Sequence, residues 1–560
     1  MLVIASTGTP GAATRPAARV RHAMVVGSEP LAMAEGIKVL REGGNAVDAA
    51  VTIAFALAVT HPRAGNIGGG GFMLVRAPGG ATTFIDYRET APAAATRDMF
   101  LDPDGNADIE ASQHSLRSSG VPGTVAGLAL ALERHGTITL RRAISPAIRL
   151  ASEGIVVSRD LEKDLLTEEK TVARFPSTKT LFFRDGRTLA EGMVLTQKDL
   201  AATLRTIRDK GARGFYEGRV ATTLAAVMKA NGGLITVTDL ASYRPVEREA
   251  LTGTYRSYQI VSAPPPSSGG VALLQILHML EPFDLRALGH NSSAYVHLVS
   301  EAFKRAYADR SRWLGDPGFF NIPMAGLLSL DYARDLMRNF DPVRATPAAS
   351  AGPGDPLARE KPSTTHFSVV DATGMIVSNT YTLNDSFGSG AMAEGLGFLL
   401  NNQMDDFSAK PGAPNLYGLV GGEANSIAPG RRMLSSMTPT IILRKDAASS
   451  KAIPFLVLGS PGGAAIITSV TQVILDIIDF DVEPQAAVDA PRFHHQWLPD
   501  RISLDRGLFP VDVIDALKRR GHEVVEREPR GEVQAILIDP AGGWLRGATD
   551  ARAQGVALGY

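Results

Sequence analysis

Apolar residues along this 560-residue chain recur with two different periods, and those periods divide it into elements. Ser28-Glu29-Pro30 has the form of a helix cap with proline in the first turn. Leu31, Ala34, Ile37 and Leu40 keep helical spacing until Gly43-Gly44 stops the helix. From about Ala46 to Val59 nearly every residue is apolar, which predicts a helix buried on all sides. Strands are then predicted over Phe72 to Val75 and over Phe84 to Glu89, with Arg88 at a strand's end. Residues 120–340 read as mostly helical. One apolar face runs through Leu140, Ala143, Ile144, Ala147, Ile148 and Ala151, and another through Leu200, Leu204 and Ile207 after a cap at Thr196. A strand Tyr258–Ser262 leads through Ala263-Pro264-Pro265-Pro266-Ser267-Ser268-Gly269-Gly270 to a helix Val271–Leu280, and Ser293–Trp313 reads as a long amphipathic helix. Residues 341–363 lose all apolar periodicity and are rich in Pro, Ala, Gly and Ser, so they read as a loop. Two strands follow, Phe367 to Val370 and Met375 to Tyr381, turning through Asp371-Ala372-Thr373-Gly374. There is no internal repeat, and no clean domain boundary precedes the 341–363 loop.

The loop-to-strand junction carries the first chemical signal. Thr364 stands where a loop enters a core strand. Were the bond before it cut, its hydroxyl would gain a built-in base, its own α-amine, with a free pKa of roughly 8. Polar residues crowd the chain beyond. Tyr381-Thr382-Leu383-Asn384 precedes Asn401-Asn402-Gln403-Met404-Asp405-Asp406, and Met433-Leu434-Ser435-Ser436 and Gly459-Ser460-Pro461-Gly462-Gly463 come later. Adjacent serines, paired amides and a carboxylate suit an amino-acid zwitterion. Arg88 suits a two-pronged grip on a carboxylate, and Gly462-Gly463 could offer two N–H groups to an oxyanion. Two tempting motifs fail. The run Gly68-Gly69-Gly70-Gly71 follows a helix and enters a strand, opposite to a nucleotide fingerprint, so its glycines are read as allowing close backbone approach. His494-His495 lack zinc spacing and are read as satisfied buried histidines.

Composition narrows the field. Hydrophobic residues at 44% and charged residues at 21% are an ordinary globular balance, which excludes a disordered chain. A net charge of −1 argues against a nucleic-acid partner and against a strongly membrane-attracted surface. With no cysteine, disulfides, thiolate catalysis and Cys-ligated zinc are excluded. Length alone favours two to four domains. The longest apolar run, Ala49 to Val59, is too short to span a bilayer, and Met1 to Arg21 shows no signal-peptide pattern.

Taken in order, these stretches resemble bacterial gamma-glutamyltranspeptidases from about Met24 to Tyr560. The resemblance rests on Gly43 to Ala50, Gly68 to Met73, Pro264 to Gly270, Thr364-Thr365-His366, Asn401 to Ser408, Leu434 to Met437 and Gly459 to Gly463. It implies an α+β fold, the four-layer αββα sandwich of N-terminal-nucleophile hydrolases. One precursor would be cleaved between Ser363 and Thr364 into intertwined chains 1–363 and 364–560, with 341–363 as the processing linker. It also implies roles. Thr364 would be the nucleophile, Thr382 its hydrogen-bonding partner, and Gly462 and Gly463 the oxyanion hole. Arg88, Ser435 and Ser436 would take the substrate α-carboxylate. Asp406, with Asn384 and Gln403, would take the α-ammonium. Tyr417 would lie on a lid, residues 411–422, closing over the γ-glutamyl group. The implied donors are glutathione and related γ-glutamyl amides, and the implied acceptors are water, amino acids or dipeptides, with no metal or cofactor needed.

Two departures, Met433 where relatives often have proline and Asp385 after Asn384, are expected to touch no matched position. A glutaryl-amide (cephalosporin) acylase of the same fold is the nearest rival. Its substrate lacks an α-ammonium, so Asp406 favours the transpeptidase. The polar lead-in resembles a relative's mature start, which favours the periplasm or secretion.

Overall fold

A computed structural model describes residues 15–354, 365–410, 422–446, 449, 451–529, 531–539 and 542–560. At its centre lie two seven-stranded antiparallel sheets. The first runs Val556–Gly559, Met24–Gly27, Thr365–Val370, Ile376–Thr382, Gly70–Arg76, Thr82–Asp86, Val246–Arg248. The second runs Ala18–Val20, Trp544–Thr549, Gln534–Asp539, Ala452–Gly459, Thr440–Lys445, Tyr258–Ser262, Leu251–Tyr255. Phe72, Leu74, Phe84, Val261, Ile441 and Val457 belong to the apolar layer between them. Helices Pro30–Arg41, Ala46–Thr60 and Thr124–His135 pack on the first sheet, with Leu140–Glu153 and then Lys198–Lys210 stacked outside Ala46–Thr60. Gly269–Leu280 and Ala465–Ile478 pack on the second, with Ser293–Trp313 outside Gly269–Leu280. The order is helix, sheet, sheet, helix, the expected αββα sandwich.

Covering both faces of a sheet removes the alternation that a half-exposed strand shows. Gly70–Arg76 and Ile376–Thr382 are accordingly buried at every position. The hairpin turn forms as its residues predict, with Asp371 Oδ1 accepting from the N–H groups of Thr373 (2.8 Å) and Met375 (3.0 Å). Helix Ala46–Thr60 is buried throughout and opens with a capping box between Asn45 and Asp48. At Lys198–Lys210 the expected cap differs. Gln197 stands at the N-cap position instead of Thr196, and its amide donates to the Val59 carbonyl at 2.8 Å.

The domain count expected from length is corrected by the strand order. Thr365–Val370 and Ile376–Thr382 sit between Met24–Gly27 and Gly70–Arg76, so segments on both sides of residue 364 build one sheet. The glycine run behaves as expected. A Cβ on Gly69 would stand 2.0 Å from the Thr382 carbonyl oxygen and 2.8 Å from Asn66 Oδ1. Neither neighbour can yield without moving the strand end that carries Thr382. Gly69→Ala is therefore expected to cost about 1–3 kcal/mol of stability by overpacking, whereas Gly79→Ala, which meets nothing within 4 Å, should stay within about 0.5 kcal/mol. Thermal unfolding of the two variants checks this.

Candidate active site

Arg88 lies two residues past strand Thr82–Asp86 and is 1% exposed. Its N–H is accepted by Asp86 Oδ1 at 2.9 Å, and its carbonyl takes the Tyr243 hydroxyl at 2.8 Å, which fixes the backbone from both sides. The guanidinium donates through Nε to the Met433 carbonyl (3.1 Å) and through Nη2 to the Leu434 carbonyl (3.2 Å). Nη2 also pairs directly with Asp406 Oδ2. Asp406 closes the short turn Gln403–Asp406, and Gln403 Nε2 donates to the same carboxylate. Arg88, Gln403 and Asp406 thus form one buried cluster, as their residue types suggested.

The serines continue from the carbonyls that Arg88 holds. Ser435 and Ser436 are fully buried. Ser435 pairs its backbone with the Pro266–Ser268 turn, donating to the Pro266 carbonyl (2.8 Å) and accepting from Ser268 N–H (2.7 Å). Arg310 reaches the same turn, donating to Ser436 Oγ through Nη2 and to Ser268 Oγ through Nε (2.8 Å). Thr382, the last residue of its strand, accepts Asn384 N–H on Oγ1 at 2.8 Å, and Asn384 Nδ2 donates to the Asn402 carbonyl at 3.1 Å. Asn401 binds backbone instead of facing outward, with Nδ2 donating to Gly68 O (2.8 Å) and Gly120 O (2.9 Å).

Gly462 and Gly463 follow strand Ala452–Gly459 with φ of 130° and 65°, and open helix Ala465–Ile478. Both values favour glycine, and a helix start concentrates unpaired N–H groups. Gly459 packs on His366, where an added Cβ would sit 2.4 Å from the ring. That contact ties the glycine turn to strand Thr365–Val370. A cavity of about 390 Å³ has Gly462, Gly463, Asp385, Ser386 and Arg63 in its wall, while Arg88 and Asp406 are not in it. The glycine turn therefore borders an open space that the Arg88–Asp406 cluster does not line. Ser363, Thr364 and Tyr417 lie outside the described residues, as does the 411–421 stretch of the expected lid.

Two sequence expectations change. Met433 does touch a matched residue, because its carbonyl accepts from Arg88 Nε; any residue supplies that carbonyl, so the departure costs nothing. Asp385 also adjoins the site. Its N–H donates to Asn402 Oδ1 at 3.1 Å, and burial pushes its carboxyl up to about 6. The histidines are satisfied as expected: His494 Nδ1 meets Thr468 Oγ1 at 2.9 Å, and His495 Nε2 meets Asp500 Oδ1 at 3.2 Å.

Residues 32–560 match the family described as Gamma-glutamyltranspeptidase. The chain belongs to that family. It is 48% identical over 535 residues to the glutathione hydrolase proenzyme of Escherichia coli (strain K12), covering 95% of this chain and 91% of that one. Among solved structures, the gamma-glutamyltranspeptidase of Helicobacter pylori aligns with 46% identity and a TM-score of 0.57, over 58% of this chain and 94% of the compared one. A cephalosporin acylase from Bacillus halodurans aligns with 27% identity and a TM-score of 0.86, over 100% and 99%. This gamma-glutamyltranspeptidase thus has the N-terminal-nucleophile hydrolase sandwich and is an enzyme processed from a precursor into two subunits.

Reading the sequence alone missed Glu89 and Arg310. Glu89 is fully buried beside Arg88, with Oε2 3.6 Å from Nη1, and among the described residues neither carboxyl oxygen has a hydrogen-bond partner. Burial raises its carboxyl from 4.5 to about 7, against the pull of the Arg88 cation. The folded state therefore holds this proton more tightly than the unfolded chain, and the associated stability is lost as pH rises through 7. In Glu89→Gln, thermal stability relative to wild type is expected to be more favourable at pH 8 than at pH 5. The variant's donor KM should also lose the rise above pH 7 that the new carboxylate beside Arg88 imposes on the wild type. Equal stability differences at both pH values would refute this.

Proposed function

We propose that this gamma-glutamyltranspeptidase cuts itself between Ser363 and Thr364 and then uses Thr364 to transfer the γ-glutamyl group of glutathione and related amides. The observation that carries the reading is the buried Arg88–Asp406 pair, braced by Gln403 and continuous with Ser435 and Ser436. It places one cation and one anion side by side, surrounded by neutral donors. An amino-acid zwitterion meets both with opposite charge: its α-carboxylate takes Arg88 and the serines, and its α-ammonium takes Asp406 with Asn384 and Gln403.

Maturation and turnover use the same hydroxyl. In the precursor, Thr364 Oγ attacks the Ser363 carbonyl, the C–N bond breaks, and water hydrolyses the resulting ester. The freed α-amine then takes the Thr364 hydroxyl proton as Oγ attacks the donor's γ-carbonyl. Gly462 and Gly463 N–H groups stabilise the tetrahedral oxyanion, and Thr382 orients the nucleophile. Collapse breaks the γ-amide bond, the ammonium returns the proton to the leaving amine, and cysteinylglycine departs. Water or an acceptor amine next attacks the γ-glutamyl ester and regenerates Thr364. Thr365 supports this placement: it pairs across the hairpin with Tyr381, the neighbour of Thr382. On the family resemblance, the enzyme works in the periplasm or outside the cell, which cell fractionation tests.

Wild type should resolve into two chains with the masses of 1–363 and 364–560, and Thr364→Ala should remain one inactive chain. Cleavage of that variant at Ser363 would place the nucleophile elsewhere. Asp406→Ala should still be processed but lose about 2–5 kcal/mol of transition-state binding, measured as kcat/KM with a γ-glutamyl anilide, because a buried charge loses its partner. A processed Asp406→Ala with unchanged kcat/KM would point instead to a donor without an α-ammonium, the acylase reading.

A further inference from the structure

Helix Ser293–Trp313 carries a row of buried polar side chains for which the reaction has no use. His297, Glu301, Arg305, Asp309 and Trp313 recur every four residues, with Lys304 beside them. That spacing keeps them on one stripe, and the stripe meets the main chain of residues 341–354. His297 Nε2 bonds the Asp341 carbonyl (2.8 Å), and Glu301 Oε1 accepts from Thr346 N–H (3.1 Å). Lys304 Nζ donates to the Thr346 carbonyl, and Arg305 Nη2 to Thr346 Oγ1 (3.2 Å). Asp309 Oδ1 accepts from Gly354 N–H (2.9 Å), and Trp313 Nε1 donates to the Gly354 carbonyl (3.2 Å). The segment thus runs along the helix from its first turns to its last residue. His297, Glu301 and His522 are close enough to suggest a metal site. However, Lys304 and Arg305 already neutralise Glu301, so an added cation would meet two others.

Asp309 is the telling member of the row. Its carboxyl is fully buried, and three neutral donors hold it: Tyr332 Oη and Gln275 Nε2 at 2.8 Å each, and the Gly354 N–H. No cation pairs with it among the described residues, so these three hydrogen bonds alone offset the cost of its burial. Gly354 is fixed a third way, since a Cβ there would stand 2.2 Å from the Tyr332 hydroxyl. Gly354 lies nine positions before Ser363. We propose that Asp309 and Trp313 are positioning residues for self-processing, anchoring Gly354 so that the chain entering the Ser363–Thr364 bond starts from a fixed point. Cutting the Ser363–Thr364 bond leaves Gly354 on the large chain and Thr364 on the small one, so the anchor acts on maturation and not on turnover.

This rests on cleavage at Ser363–Thr364, which the mass of the small chain checks separately in every variant; a small chain not beginning at Thr364 overturns that premise. The experiment follows conversion of full-length precursor to two chains over time, then kcat/KM of the processed fraction. Asp309→Ala and Gly354→Ala should process about tenfold more slowly, the scale of one lost hydrogen bond to a charged acceptor, with kcat/KM unchanged once cut. Asp309→Asn should process near the wild-type rate. It keeps an acceptor for Gly354, and the Gln275 amide can turn its Oε1, which has no partner among the described residues, to the new N–H. Wild-type processing in both alanine variants overturns the proposal. So does a kcat/KM of the processed fraction that falls in parallel with the rate, which marks a general structural role.

Discussion

The structure depends on strand Thr365–Val370 lying inside a sheet. It pairs with Met24–Gly27 on one side and with Ile376–Thr382 on the other, and all six of its residues are buried. A strand so placed cannot leave without opening both pairings and the core on its two faces. Cutting the chain just before it therefore creates a new end without creating a separable piece. The chemistry inherits this rigidity. Residue 364 directly precedes this buried, doubly paired strand in sequence, and Thr382 ends the neighbouring strand of the same hairpin.

The second constraint is electrostatic. Arg88, Glu89 and Asp406 bring one cation and two carboxyls into a region that water does not reach, at a desolvation cost of several kcal/mol per ion. Met433 and Leu434 carbonyls, the Gln403 amide and the Arg88–Asp406 contact offset part of that cost, while the raised Glu89 carboxyl shows where compensation ends. Such an arrangement is poor at stabilising a fold and good at discriminating ligands. A ligand of the wrong charge pattern leaves a buried ion unpaired, which costs more than any apolar misfit.

Much of this was legible in the sequence, for reasons that also explain what was not. The hairpin announced itself through β-branched residues around an Asp-Gly turn, and Arg88, Ser435, Ser436 and Asp406 stood out as polar residues that core packing does not require. Helix Ser293–Trp313 misled in a different way. Its period showed that two faces differ, but a period cannot say which face is outside, and here the face bearing Glu301, Arg305 and Asp309 is buried against 341–354. Glu89 was hidden by its position at a strand's end next to Arg88, where the residue order does not tell a buried carboxyl from an exposed one. The domain count failed because chain length presumes that neighbours in sequence pair with one another, whereas the hairpin after 364 inserts between strands from the first eighty residues.

The similarity to a cephalosporin acylase shows which level of structure decides the substrate. The two chains align over their whole lengths, so sheets, helices and strand order are compatible with either activity, and the fold cannot choose between them. The choice falls to a few side chains at strand ends and turns. On the proposed roles Asp406 would be the discriminating one, because Arg88 and the serines could hold a carboxylate on either a glutamyl or a glutaryl group. Only a substrate bearing an ammonium would compensate the Asp406 carboxylate if Arg88 turned to an incoming carboxylate. Breaking the Arg88–Asp406 pair is then favourable for a zwitterion, which replaces both partners. It is unfavourable for a glutaryl group, which replaces one and strands the other.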